Sequence, residues 1–423
     1  MHRSSLSRRD LLKGMSTLAA AGLVGGGSPE QADAAPILAT GFQGFPRKAD
    51  FAMRPGVTYL NGAYTHPMPL PAREAVRQYL EARTEFYADS SPDPNLSGKV
   101  KAEFAALINA RPNEISFVPN TSTGEVLVVH GLGIPGSGGN VVTDALHFEG
   151  AIVHLQSLAR DGGLDLRIAM PRDDFAIHLE DLARLVDRNT RLIEISSAAM
   201  YNGFEHDLKA VADLAHAHGA YVYVDLIQSA GATPIDVKAT GIDFCACAGF
   251  KWLMGDLGLG FLYVREELLD RVIRRTQVGY HSVDEYGTHF LPNDPPAPTP
   301  FTWAFGGSAS AHFEVGSVSG AARAALGASI PYLRKLGVDR IEAHRQPLLY
   351  RLRSELPRLG HRCVTPEGTR SPLITFAIDD AAGIREKVRR AGVDVRVANT
   401  YLRVSPSVYN DLADVDRLLN ALS

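Results

Sequence analysis

Asp225 closes the apolar run Ala220-Tyr221-Val222-Tyr223-Val224, and Gln228 follows three residues later. Lys251 stands 26 residues beyond Asp225, in Ala248-Gly249-Phe250-Lys251-Trp252-Leu253. Upstream, Asn120-Thr121-Ser122-Thr123-Gly124 separates a strand-like Ile115–Val118 from a helical pattern over Glu125–Leu132. Taken singly, each feature has an ordinary explanation. A carboxylate at a strand end often caps a helix, a loop lysine is usually solvated, and Thr-Ser-Thr is common capping chemistry. Taken together, they supply three different functions. Hydroxyls and N–H groups at a helix N-terminus hold an anion. A carboxylate at a strand tip keeps a ring nitrogen protonated, and a lysine between two aromatic residues is desolvated enough to offer a neutral amine.

One cofactor uses all three at once. Pyridoxal 5′-phosphate needs an anion site for its phosphate, a carboxylate at its pyridine nitrogen and a lysine for its Schiff base. The elements that must position these groups alternate in type. β-rich runs at Glu114–Val118, Asn140–Thr143, Leu192–Ser196, Tyr221–Val224 and Leu259–Val264 are separated by helical patterns such as Leu208–His218, which Gly219 closes. An amphipathic helix is expected over Ala72–Ala88. This alternation predicts an α/β fold with a mostly parallel sheet, whose ligands bind at the carboxyl ends of the strands. The Pro-rich Leu291–Thr302 predicts a loop or lid. From about Gly320 onward, long helices precede short strands at Leu373–Ile378 and Val393–Val397, which predicts a smaller C-terminal α/β domain.

Tyr223-Val224-Asp225-Leu226-Ile227-Gln228-Ser229-Ala230-Gly231 resembles the V-D-x-x-Q-x-x-G motif of class V aminotransferase-fold enzymes. That group includes cysteine desulfurases, selenocysteine lyases, kynureninases and isopenicillin N epimerases. Phe313-Glu314-Val315-Gly316-Ser317 resembles their F-E-x-G-[TS] segment, and Leu402-Arg403-Val404-Ser405 with Tyr409-Asn410 resembles their final R-x-S…Y-N motif. The likeness runs from about Tyr59 to the end and implies the pyridoxal-phosphate fold type I. It also implies roles. Lys251 would carry the Schiff base and move the α-proton, and Asp225 would pair with the pyridine nitrogen. Gln228 would bond the phenolic oxygen, with Thr121, Ser122 and Thr123 around the phosphate. Phe148 would stack on the ring, and Ser317 would reach the phosphate of a neighbouring subunit in a homodimer with shared sites. Arg403, with Arg396 as a weaker candidate, would bind the substrate carboxylate as a planar fork.

The departures bear on the reaction. Where desulfurases and lyases often carry Ser-x-His before the lysine, this chain has Ala248-Gly249-Phe250. Ser196-Ser197 replaces an expected Asn, and no cysteine lies in the C-terminal loop Ala398–Ser405, where desulfurases keep their sulfur acceptor. The resemblance therefore leads toward an enzyme acting at the Cα of an amino acid or amine, of aminotransferase or epimerase type. The alternatives are a C–S lyase or desulfurase-like elimination without a catalytic cysteine, and a secreted binding protein that has lost the cofactor.

The 423 residues carry 43 Lys and Arg against 47 Asp and Glu, a balance without the basic excess of an electrostatic nucleic-acid binder. Three cysteines cannot build a disulfide framework, and Cys245-Ala246-Cys247 reads as two core thiols rather than a metal site. Gly255, Gly258 and Gly260 precede a strand, the wrong order for a dinucleotide fingerprint. His281 and His289 are open candidates for a substrate pocket. Ser7-Arg8-Arg9-Asp10-Leu11-Leu12-Lys13, the apolar run Gly14–Gly27 and Ala32-Asp33-Ala34 match a twin-arginine export signal cleaved before Ala35. No later stretch is long and apolar enough for a membrane span. The expected organisation is a signal over 1–34, an N-terminal segment over 35–65 packing on the small domain, a cofactor-binding domain over 66–319 and a small domain over 320–423. The mature protein is expected in the periplasm or secreted.

Overall fold

The protein is described by a computed structural model covering residues 44–85 and 93–423; the expected export signal lies outside these residues. The chain enters through a two-residue strand β1 (Thr58–Tyr59) and helix α1 (Leu70–Glu85). A second helix α2 (Leu96–Leu107) leads to β2 (Ile115–Val118) and helix α3 (Thr121–Gly131). Next come β3 (Asn140–Asp144), helix α4 (Glu149–Gly162), β4 (Asp165–Ala169), β5 (Thr190–Ser196), β6 (Tyr221–Asp225), β7 (Phe244–Ala248) and β8 (Gly260–Val264). These strands form one seven-stranded sheet in the order β2-β8-β7-β6-β5-β3-β4. The pairs from β7 through β4 are parallel, and β8 runs antiparallel to both its neighbours.

Burial explains the composition of the strands. Nearly every residue from β5 to β8 is buried, because helices cover both faces of a parallel sheet. Phe104 of α2 stacks on Phe261 of β8, with ring centroids 4.0 Å apart. Cys245 and Cys247 are both buried in β7, and among the described residues no cluster of His, Cys, Asp and Glu could hold a metal. The same residues contain no helix long and apolar enough to cross a membrane.

Beyond the sheet, β9 (Val283–Thr288) and β10 (Phe301–Phe305) form an antiparallel hairpin around the Pro-rich stretch. The irregular segment is thus shorter than Leu291–Thr302, since Phe301 and Thr302 already pair with Thr288 and Gly287. The C-terminal part adds β11 (Ile374–Ala377), β12 (Val393–Asp394), β13 (Arg396–Val397) and β14 (Tyr401–Val404). The expected strand Val393–Val397 is two strands in two sheets. β12 pairs in parallel with β1, whereas β13 joins the sheet β11-β14-β13. A break between them turns Arg396 opposite Arg403.

The described residues pack as one compact unit, with core clusters on the large sheet and a second body of core around the small sheet. The helix Gly320–Leu336 buries Ala322, Leu326, Ile330 and Leu333 in the core of the large sheet. A separate core begins at Leu348 and gathers Ile374, Phe376, Leu402, Val404 and Leu418 around the small sheet. The N-terminal β1 is tied to that second body, and Leu60 is part of its core.

Candidate active site

Most of the groups expected to bind the cofactor converge at the carboxyl ends of β5, β6 and β7. Thr121, Ser122, Phe148, Asp225, Lys251, Arg396 and Arg403 all line one cavity of about 470 Å³. Asp225 is the last residue of β6, lies opposite Ser196 of β5, and accepts from the Ile227 N–H at 2.8 Å. Its burial raises the carboxyl pKa, an effect that His147 and then Lys251 oppose. Lys251 follows β7 on a tight turn closed by Met254 N–H to Lys251 C=O at 2.8 Å. Burial pushes its ammonium down to about 8, against the pull of Asp225. An amine with that value is half neutral near pH 8, where an ordinary lysine is almost wholly charged. This is the state a Schiff-base lysine requires.

Helix α3 starts four residues earlier than the apolar pattern indicates. Asn120 caps it, its side-chain oxygen accepting from the Thr123 N–H at 2.8 Å and from the Thr123 hydroxyl at 3.1 Å. The Thr-Ser-Thr turn is therefore the first turn of the helix itself. Thr123, expected at the phosphate, is spent on the cap and does not line the cavity. Thr121 does line it, and its hydroxyl also accepts from the Ala248 N–H at 3.0 Å, tying the helix to the end of β7. Ser122 and Asn120 complete that wall. Gly124 permits this approach, because a Cβ there would lie 2.7 Å from the Ala246 Cβ.

Gln228 is placed differently from expectation. Its amide donates to Ala63 C=O at 3.2 Å and accepts from Trp252 Nε1 at 3.0 Å, so both ends are occupied and it does not line the cavity. Trp252 is fully buried, with the Arg345 guanidinium 5.5 Å from its ring. Gly231 lies beneath that loop at φ +89, where a Cβ would sit 2.5 Å from the Trp252 carbonyl oxygen. The Q and G of the motif thus shape the floor under Lys251.

Arg403 is 4% exposed, not the surface ion-pair partner of a late carboxylate. Its Nη1 donates to Met200 C=O at 2.8 Å, while its Nε is buried with no partner. An unpaired buried donor on a cationic fork beside Lys251 suits a carboxylate ligand. Arg396 is exposed, its guanidinium 5.7 Å from the Tyr64 ring. Ser317 lies outside this cavity, bonded to the Tyr280 hydroxyl at 2.8 Å. His289 is held within the hairpin region, by Pro295 C=O and Thr302, and neither it nor His281 lines the cavity. Cys363 is remote as well, its thiol 3.7 Å from Thr365 C=O.

Several wall residues had no signal in the sequence. Ala63, Tyr64 and Thr65 arrive from the N-terminal segment, and Met200 and Tyr401 from loops and strands far apart in the chain. Glu149, next to Phe148, lines the cavity and accepts from the Tyr201 hydroxyl at 2.7 Å.

A doubly covered, mostly parallel sheet with a half-neutral lysine, a strand-tip carboxylate and a helix N-terminus around one cavity defines a pyridoxal-phosphate enzyme of fold type I. The aminotransferase class-V family model matches residues 94–418, and the chain belongs to that family. It is 27% identical over 421 residues to a cysteine desulfurase of Escherichia coli, covering 92% of this chain and 95% of that protein. A probable cysteine desulfurase of Methanothermobacter thermautotrophicus is 27% identical over 352 residues, covering 80% and 83% respectively. Among solved structures, the cysteine desulfurase CsdA of Escherichia coli superposes with a TM-score of 0.75 at 23% identity, covering 88% of this chain and 96% of that one. The cystine C–S lyase C-DES, in complex with its product cysteine persulfide, gives 0.74 at 24% identity, covering 86% and 97%. Pyridoxal 5′-phosphate is the cofactor that this family and these residues fit; Lys251 and Asp225 would hold its reactive and pyridine ends, and it would supply the electron sink for chemistry at a substrate Cα.

Proposed function

We propose that the protein is a pyridoxal-phosphate-dependent lyase that breaks a bond at the β-carbon of a sulfur-containing amino acid, without relaying sulfur through a cysteine. The observation that carries this reading is one cavity lined by both Lys251 and the largely buried Arg403. Arg403 fixes the substrate carboxylate, which sets the Cα–H bond against Lys251 Nζ. Lys251 takes the α-proton, and the sulfur departs from the β-carbon as a thiolate with the bonding electron pair and takes up a proton. The unsaturated amine left behind hydrolyses to a keto acid and ammonia. The relatives named as desulfurases and as a cystine C–S lyase favour this branch over the transamination or epimerisation that the resemblance alone suggested.

The loop Ala398–Ser405 has no cysteine, and Cys363 is away from the cavity, so sulfur leaves as a free product. The proposal includes a homodimer and export by the Ser7–Lys13 signal. An exposed aromatic hairpin, with Tyr286 62%, Trp303 55% and Phe305 43% exposed, supports an interface with a second copy. The experiment is incubation of purified yellow protein with L-cystine and L-cysteine. Stoichiometric keto acid, ammonia and released sulfur, with no added keto acid and unchanged after Cys363→Ala, are expected. Product formation that requires an amino acceptor, or racemate alone, overturns the reading.

A further inference from the structure

Behind Asp225, away from the cavity, lies a buried polar cluster that the reaction above does not use. Glu194 of β5 is 0% exposed, and Glu125 of α3 is 2% exposed. A strand that otherwise reads Leu192-Ile193…Ile195 has no reason to carry a carboxylate unless a partner meets it. Two partners do. Glu194 Oε1 lies 3.3 Å from Nε2 of His147, and burial first and then the neighbouring Glu194 raise the proton affinity of Glu125. Glu125 Oε1 takes a 2.6 Å contact from Nδ1 of His154 on α4. The other oxygen of each, Glu125 Oε2 and Glu194 Oε2, is buried with no partner.

That pattern has one consistent proton count. Two ionised carboxylates facing each other in a dry interior repel strongly, and neither free oxygen can donate. One proton held by the pair removes both faults. Glu125 then donates to Glu194, and His154 donates to the remaining oxygen of Glu125. Glu194 keeps a single negative charge, which accepts from His147 Nε2–H. Nδ1 of His147, 2.8 Å from the Ser196 hydroxyl, carries the second ring proton. Ser196 stands opposite Asp225 across β5 and β6, and His147 acts electrostatically on Asp225. The other titratable groups facing the cluster are Asp144 at the end of β3, paired with His206, and Tyr223 on β6. His130 of α3 stacks on His154.

We infer that Glu125 and Glu194 share one proton, and that the pair's single remaining charge holds His147 as an imidazolium that keeps the buried Asp225 ionised. These are positioning residues, since none of the three lines the cavity. The inference meets the cofactor reading only at Asp225, and both measurements below report on the cluster whatever the reaction proves to be.

Infrared spectra of the holoenzyme test the shared proton. A protonated carboxyl band is expected to persist from neutral into alkaline pH, to vanish in Glu125→Gln, and in Glu194→Gln to shift in frequency and titrate at lower pH. Nitrogen NMR of the same proteins, with His147 assigned by its loss in His147→Asn, reads the ring charge. An imidazolium is expected in the unmutated protein and in Glu125→Gln. In Glu194→Gln its proton affinity is expected to fall at least tenfold. Absence of the band in the unmutated holoenzyme, its persistence in Glu125→Gln, or the same His147 charge in all three proteins overturns the inference. Because the unmutated spectrum decides the first point alone, misfolding of a variant does not rescue the idea.

Discussion

Lys251 and Arg403 make the clearest demands at the scale of single residues. Lys251 becomes neutral as pH rises through about 8 rather than near the usual lysine value. Apo-protein is therefore expected to capture the cofactor with a rate that climbs through pH 8 and levels off above it. Stopped-flow absorbance checks this, and a climb still continuing near pH 10 contradicts it. Lys251→Ala is expected to lose borohydride-trapped cofactor altogether and to lower kcat by ~10²–10⁴-fold, the worth of a positioned acid–base group. Arg403→Ala removes charge-assisted hydrogen bonds worth about 1.5–3 kcal/mol, which is roughly 10–150-fold in kcat/KM. Steady-state kinetics are expected to show that loss with cofactor absorbance intact. A variant that binds cofactor poorly instead would place Arg403 elsewhere in the site. The placement of Asp225 and Lys251 at one cavity was legible because their residue types are rare at those places. That of Gln228 was not, because only the folded chain brings Ala63 and Trp252 to its two ends.

Helix α3 governs the site at the scale of elements. Its first turn forms one wall, its cap consumes Thr123, and Gly124 presses it onto β7. Gly124→Ala adds a methyl where the gap to Ala246 is 2.7 Å. The strain of overpacking a tight contact is ~1–3 kcal/mol. Denaturant unfolding is expected to record that loss, and fluorescence titration a weaker hold on the cofactor, because the helix start moves away from the strand ends. Unchanged affinity would mean that the helix relaxes along its axis instead. The apolar periodicity located the body of this helix but not its start, since Thr-Ser-Thr carries no apolar face and the cap bond to Asn120 leaves no periodic trace. Similarly, Val393–Val397 reads as one strand in sequence, and pairing with two different sheets divides it.

At the scale of the whole molecule, the exposed hairpin and the position of Ser317 both look outward. Tyr286 and Phe301 stack at 5.6 Å, and Trp303 and Phe305 pack at 4.7 Å, on strands that present these rings to solvent. Burying such rings between two copies removes apolar surface from water at about 25 cal/mol per Å². Trp303→Asp is expected to shift the proposed dimer toward monomer in sedimentation velocity and to reduce cofactor retention if sites are shared. A monomeric unmutated protein would remove the assembly from the proposal.

The sequence by itself determined the class of fold, through strand and helix periodicities set by burial on both faces of a parallel sheet. It also determined the cofactor, because a lysine between aromatic rings and an aspartate at a strand tip are costly unless they meet a partner. Tertiary structure alone decided which hydroxyl faces the cavity, where the motif glutamine goes, and that an N-terminal segment supplies Ala63, Tyr64 and Thr65 to the wall. It also brought Glu125 and Glu194, 69 residues apart, into one buried polar cluster behind the site. Local patterns encode which residues are buried, whereas the partner of a buried polar group is fixed only when distant strands and helices are packed together.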